Sequence, residues 1–159
     1  MATAQTQVKD SPPLVESSAL LLARLGRVAS RQLTEELVGT GLKPPHAAIL
    51  IMLRDLGPMS QQAIGERLHV DPSNLVAFLN ALEADELLVR KRDPSDRRRH
   101  IVEITPKGVE RMPACAEPVG SLDEQLLAGL SAEEREQLHR MLAQILENMA
   151  LEESTEDFD

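Results

Sequence analysis

Between Ser60 and Leu82 the chain packs two helical patterns end to end with almost nothing between them. Ser60 stands where a hydroxyl accepts from the amides of a first helical turn, and Ile64 and Leu68 repeat one turn apart. After only His69-Val70, the pair Asp71-Pro72 opens another helix, an N-cap followed by proline at the first helical position, where its missing N–H is tolerated. Leu75, Leu79 and Leu82 put the buried stripe of this later helix on one side and leave Ser73, Asn74, Ala77 and Asn80 on the other. Two short helices joined by so tight a turn form a helix-turn-helix, and the second can enter a major groove about 12 Å wide.

The remaining elements are read around this unit. With 159 residues, 42% hydrophobic and 27% charged, the chain has the material for one domain or two closely joined lobes. Residues 1–13 lack apolar periodicity and read as a flexible N-terminal arm. From Val15, the positions Ala19, Leu22, Leu25, Val28 or Ala29, Leu33 and Leu37 recur at helical spacing, and Gly39 and Gly41 end the run. Pro44-Pro45 starts a buried helix around Ala47, Ile49, Leu50 and Leu53, closed by Gly57-Pro58. The apolar stretch Ala47–Leu53 is far short of the roughly 20 residues a membrane helix needs. Met1–Ser11 lacks the apolar segment of a signal peptide, so a cytoplasmic, non-membrane protein is expected. Cys115 is the single cysteine, which excludes an internal disulfide.

The net charge of −9 is unevenly distributed. Residues 88–107 hold seven Lys/Arg against three Asp/Glu, leaving ten against 23 elsewhere, so a +4 patch sits on a −13 body. Such a patch either binds phosphates or is a solvated hairpin tip. Leu87–Arg92 and Arg99–Ile104 read as strands around the turn Asp93-Pro94-Ser95-Asp96. Thr105-Pro106 caps a further helix, which Pro113, Pro118 and Gly120 are expected to kink or break, with Ser121 and Glu124 as a restart signal. Ser131 and Glu134 form another capping box, followed by Leu138, Met141 or Leu142, Ile145 and Met149. The last residues, 151–159, form an acidic tail.

The order of helices, helix-turn-helix, basic hairpin and long helices resembles a winged helix-turn-helix transcription factor, and most specifically the MarR family. The resemblance rests on the segment Asp93–Gly108, where Asp96 with Arg98 two positions on, the Ile104-Thr105 pair and Gly108 match the family pattern, and on Asp71-Pro72-Ser73-Asn74 as the opening of the recognition helix. It implies a mainly α fold with a small β-hairpin wing: a winged helix-turn-helix lobe (residues 44–108) joined to a helical dimerisation lobe (residues 14–43 and 109–150). It also implies a homodimer and a repressor released by a small aromatic acid, another lipophilic effector or an oxidant. Glu86 stands where many relatives have glycine. Gly65 is a small residue inside a helix, suited to close packing.

Arg97, Arg98 and Arg99 carry guanidinium forks suited to phosphates or a narrow minor groove. Asp96 either holds Arg98 by a paired hydrogen bond or only forms the turn. Ser60 and Gln61 lie at a helix start, where amides favour phosphate, unless they serve only as a cap. Asn74 has the amide for a paired contact with adenine, Ser73 can meet a base or phosphate, and Ala77 can touch a thymine methyl. Arg90, Lys91 and Arg92 add positive potential but alternate along a strand.

By the family layout, Arg24, Arg27, His46, Met52 and Met112 are effector-site candidates. The packing reading for the methionines and His46, and dimer ion pairs for the arginines, stand beside that. Neither catalytic residues nor a metal or cofactor motif is evident, since His69, Asp71, His100 and Glu103 make no local ligand set. The expected function is therefore a dimeric, non-enzymatic regulator that binds double-stranded DNA at a pseudo-palindromic operator. A protein-interaction dimer retaining the winged scaffold, a transcriptional activator and a redox-responsive regulator are the alternatives.

Overall fold

The computed structural model describes residues 14–96 and 98–156. The expected N-terminal arm and Arg97 lie outside the described residues, as do the last three residues of the acidic tail. A 3-10 turn, Leu14–Glu16, leads into α1 (Ser18–Glu36), followed by α2 (Pro44–Leu56), β1 (Met59–Ser60), α3 (Gln61–Leu68), α4 (Pro72–Ala84), β2 (Leu88–Arg92) and β3 (His100–Ile104). The chain continues through α5 (Pro106–Glu110), α6 (Pro113–Leu126) and α7 (Ala132–Glu156). The architecture is mostly helical with a small antiparallel sheet, as expected.

The caps act where the sequence puts them. Ser60 Oγ accepts from the Ala63 amide at 3.1 Å, Asp71 Oδ1 from the Ser73 amide at 2.8 Å and Thr105 Oγ1 from the Gly108 amide at 3.0 Å. At α7 the box is reciprocal, with the Ser131 amide on Glu134 Oε2 at 2.8 Å and the Glu134 amide on Ser131 Oγ at 3.3 Å. Each bond satisfies an amide that the helix itself leaves without an acceptor.

Both helices of the helix-turn-helix close in the same way. At the end of α3 the Val70 amide reaches Gly65 O and the His69 amide Glu66 O. At the end of α4 Leu87 reaches Leu82 O and Glu86 reaches Glu83 O. These paired bonds need a left-handed residue between helix and exit, usually glycine. Here His69 (φ 47°) and Glu86 (φ 60°) adopt it.

The core is built by Ile49, Leu50 and Leu53 of α2, Ile64 of α3, Leu75, Leu79 and Leu82 of α4, and Leu88 and Val102 of the hairpin. The sheet order is β1-β3-β2, with Met59 opposite Val102, Ser60 opposite Ile101 and Arg90 opposite Val102. β1 was not expected, because two residues carry no period.

Downstream of the wing the proline expectation is half met. The helix breaks at Arg111-Met112, and Pro113 begins α6 as its first residue. Pro118, however, lies inside α6, which also runs through Ser121 and Glu124 with no restart there. Packing of α6 against both α1 and α2 holds the helix across the missing proline donor. Helix α7 likewise continues past residue 150 to Glu156. No helix among the described residues is long and apolar enough to cross a membrane.

Candidate nucleic-acid interface

Helix α4 divides as its periodicity requires. Leu75, Leu79 and Leu82 are buried, while Ser73, Asn74 and Ala77 are exposed. Asp71 grips the start of this face, accepting from both the amide and the hydroxyl of Ser73, and these bonds hold its carboxyl below the usual range. The Ser73 hydroxyl is thereby engaged within the chain, leaving Asn74 and Ala77 as the freer groups of the three.

The wing is shaped by hydrogen bonds its own loop supplies. Asp93 Oδ1 accepts from Ser95 N at 2.8 Å and Ser95 Oγ at 2.6 Å, which lowers its carboxyl from the ordinary value, and the Arg99 amide reaches Asp96 O at 2.9 Å. Asp96 does not pair with the Arg98 guanidinium as one reading expected. Its Oδ1 accepts from the Arg98 backbone amide at 3.0 Å, and its Oδ2 lies 3.8 Å from Arg99 Nε. A carboxylate two residues before an amide closes its own turn more readily than it reaches a long side chain that points away. Arg98 is thus turned by its backbone, and its side chain is exposed.

Pairing of β1 with β3 sets Ser60 opposite Ile101 and so carries the α3 start to the wing base. Ser60, Gln61, Gln62, Arg98, Arg99 and His100 line one cleft of about 230 Å³. Helix amides and guanidinium groups converge there from elements 38 residues apart in sequence, counting Ser60 to Arg98.

A further tie was missed by sequence reasoning. Arg90 does not add charge to the open surface. Its Nε donates to Glu83 Oε2 at 3.0 Å, its Nη2 to Asn80 Oδ1 at 2.6 Å, and its amide to Glu83 Oε1 at 3.1 Å. Hydrogen bonding from Arg90 holds the Glu83 carboxyl below its usual range. This three-residue clasp fixes the root of the wing to the exposed flank of α4. Its only sequence signal is the alternation that lets one of three consecutive basic residues face inward. Lys91 faces the other way, onto Glu103, and Arg92 is exposed.

The matched motif residues have mechanical roles. Thr105 Oγ1 donates to Glu86 O at 2.6 Å while accepting from Gly108. A Cβ on Gly108 would stand 2.1 Å from Leu87 O, so α5 lies directly on the turn that leaves α4.

The five effector candidates are not brought together. Arg24 and Arg27 line a shallow cleft on α1 with Val28 and Arg31. His46 is 8% exposed, accepts the Lys43 amide at Nδ1 (3.4 Å) and meets the Phe78 ring edge-on at 5.6 Å. Burial, reinforced by the Lys43 charge, lowers its pKa from 6.5. Met52 is half-buried on α2, and Met112 is 5% exposed within the core beside Cys115. These positions favour packing for Met112 and a structural cap for His46. Cys115 is buried, and burial raises its thiol pKa. Among the described residues no cluster of three or more His, Cys, Asp or Glu is placed to hold a metal.

Comparison with known proteins matches the same elements. A family profile described as the MarR family covers residues 42–100. The chain is 32% identical over 124 residues to a putative transcriptional regulatory protein for the hcr operon of Thauera aromatica, spanning 77% of this chain and 75% of that protein. Its structure is similar to that of a transcriptional repressor, CouR, bound to a 23-mer DNA duplex (TM-score 0.72, 32% identity, 83% of this chain and 94% of the other). It is also similar in fold to CouR from Rhodococcus jostii RHA1 bound to p-coumaroyl-CoA (TM-score 0.76, 22% identity, 86% and 96%). With a helix-turn-helix, a basic wing beside it and this agreement in both sequence and fold, the chain belongs to the MarR family of transcriptional regulators.

Proposed function

We propose that the chain acts as a homodimeric repressor that grips double-stranded DNA through α4 and the wing and is released by a small-molecule effector. The cleft that gathers Ser60, Gln61, Arg98 and Arg99 beside the exposed face of α4 carries this reading. Asn74 and Ala77 meet base edges in the major groove, with Asn74 the main adenine reader, while Ser73, whose hydroxyl proton is held by Asp71, can only accept there. The α3 start takes a backbone phosphate, and Arg98 and Arg99, with Arg97 next to them in sequence, enter the flanking minor groove or bind its phosphates. No arginine or lysine lies among Ser73, Asn74 and Ala77, so affinity depends heavily on the wing.

The dimer is supported by what one chain leaves uncovered. Leu20, Leu21, Leu22, Leu25 and Val28 of α1 are 39% to 49% exposed, and Met141, Ile145, Leu146 and Met149 of α7 are 44% to 52% exposed. No residue from Ala132 to Met149 is buried, and an amphipathic helix of that length gains its stability from a covered face. A two-fold partner would set two recognition helices about 34 Å apart, matching successive major grooves. An effector would act by favouring a dimer in which that spacing is lost. The structural neighbour bound to p-coumaroyl-CoA supports an aromatic acid or its conjugate as the class to screen.

The test is selection of bound duplexes from a random library, then titration of the enriched duplex against scrambled DNA at several salt concentrations. A two-fold-related motif preferred by about 10³-fold or more is expected. Replacing Arg98 and Arg99 with alanine should flatten the salt dependence by about one unit of log–log slope per arginine in each protomer. Enrichment of no sequence, or an unchanged slope in the variant, would refute the assignment.

A further inference from the structure

Resting on the DNA-binding reading above, we propose that Asn80 is a further base-reading residue of α4, held by Arg90 as a hydrogen-bond donor and thereby selective for guanine. Its place on the helix is the first observation. Asn80 lies seven residues after Ser73 and three after Ala77, on the face those two share, and it is exposed. Beyond Asn74, α4 holds two polar side chains, Asn80 and Glu83, and the rest are apolar. Glu83 is consumed by Arg90, whose Nε and backbone amide both donate to it. Asn80 is thus the one hydrogen-bonding side chain that the later turns of α4 still offer to a base.

The clasp also decides which end of the amide points away. Arg90 Nη2 lies 2.6 Å from Asn80 Oδ1. A guanidinium carries hydrogens and accepts nothing, so only the oxygen of a carboxamide can face it. Turning the amide over would set N–H against N–H and forfeit a charge-assisted bond. Arg90 is itself anchored, by its two bonds to Glu83 and by its place on β2 opposite the buried Val102. The oxygen of Asn80 is therefore directed at the wing root, and Nδ2 with its two hydrogens is the end left for a base.

A donating edge sorts the bases. In the major groove guanine presents two adjacent acceptors, N7 and O6, so either hydrogen finds a partner. Thymine offers a single acceptor, O4, beside a methyl group, while adenine and cytosine each present an amino group that meets Nδ2 as donor against donor. The paired contact with adenine assigned to Asn74 needs oxygen and nitrogen on the same base, and Arg90 withholds the oxygen of Asn80 from that geometry. Six residues separate the two asparagines, about 9 Å of helix, so they fall on different base pairs. Helix α4 contains no arginine or lysine. Guanine recognition on it falls to this amide, with Arg90 as the positioning residue.

The test uses full-length protein and the duplex enriched by the selection described above. The original protein should enrich guanine at one position of each half-site, and exchanging that guanine for adenine should weaken binding about tenfold. Inosine at that position keeps O6 and N7 and lacks only the minor-groove amino group, so it should bind as guanine does. Asn80→Ala should abolish the guanine preference at that position alone and leave the adenine position read by Asn74 intact. Arg90→Met, with Asn80 in place, should erase the same preference, because the released amide turns either end outward and accepts adenine as readily. A merely structural role for Arg90 would instead weaken all sequences alike, and that result would overturn the orienting step. Should Arg90→Met fold poorly, Asn80→Ala, at an exposed helical position, still decides the assignment. A guanine preference retained in Asn80→Ala, or a loss spread evenly over every base position as a backbone contact would give, would overturn it. Enrichment of no sequence by the original protein would refute the DNA-binding reading beneath it.

Discussion

Replacing Gly108 with alanine tests whether the joint between α4, the wing and α5 is as tight as its geometry indicates. The added Cβ would lie 2.1 Å from Leu87 O, 2.7 Å from Ile104 Cγ1 and 3.1 Å from Leu87 C. Leu87 has little freedom to retreat. Its amide is bonded to Leu82 O at 2.9 Å and its carbonyl accepts the Thr105 amide at 3.1 Å. Relieving the contact requires about 1 Å of backbone movement, an overpacking cost of about 1–3 kcal/mol. Loss of the Thr105–Leu87 hydrogen bond adds about 1 kcal/mol, and the better helix propensity of alanine returns about 1 kcal/mol. The net expectation is a loss of about 1–3 kcal/mol, or roughly 2–12 °C in Tm for a chain of this size. The assay is urea unfolding followed by circular dichroism, at one protein concentration because association shifts apparent stability. Gly120→Ala is the control, since a Cβ there meets nothing within 4 Å on helix α6. That variant should be unchanged or more stable by up to about 1 kcal/mol. A Gly108 variant within about 0.5 kcal/mol of the original would refute the close approach and the role assigned to this part of the motif.

Three further outcomes follow from named contacts. Glu86→Gly should raise stability by about 0.5–1 kcal/mol, because glycine relieves the left-handed strain at φ 60° and the lost Lys107 pair is exposed; a loss in chemical denaturation would contradict this. Arg90→Met should lower stability by about 1–2 kcal/mol by leaving Glu83 and Asn80 unanswered. It should also weaken operator binding while the dimer stays intact, so unchanged affinity in a titration would remove the clasp from the mechanism. His46 has a folded pKa below its usual 6.5, so the unfolded chain binds the extra proton first. Its contribution is complete above about pH 6.5 and falls as the pH is lowered toward the folded value, and His46→Gln should flatten that part of the stability profile in a pH series of thermal melts.

The caps and the matched motif show what could be read before any coordinates. Ser60, Asp71-Pro72, Thr105-Pro106 and the Ser131–Glu134 box all act within four residues of themselves. A hydrogen bond that spans so short a segment closes with little loss of chain entropy and so leaves a local signature. The charge patch and the two faces of α4 were legible for the same reason, since period and composition are properties of a short window. Glu86 was also visible as a departure, although only its positive φ shows why glycine is usual there.

Other features depended on which distant segments meet. Nothing in Met59-Ser60 announces a strand until β3 arrives to pair with it, and that pairing is what brings Ser60 and Gln61 to Arg98 and Arg99. Arg90 looks like one more positive charge in a basic run until the fold turns it onto Glu83, and Asp96 favours the Arg98 amide over its guanidinium because the turn fixes the amide nearby. Met112 and His46 are polarizable or titratable groups with plausible ligand chemistry, yet burial and a capping bond direct them inward. Pro118 reads as a helix breaker, but packing of α6 on α1 and α2 outweighs the missing donor. The sequence alone determined the local elements, their order and the chemistry available on each face, because short-range hydrogen bonds and periodic burial are written in adjacent residues. Tertiary structure alone decided which charges face outward and which are consumed, because that choice depends on partners brought together only when the chain closes on itself.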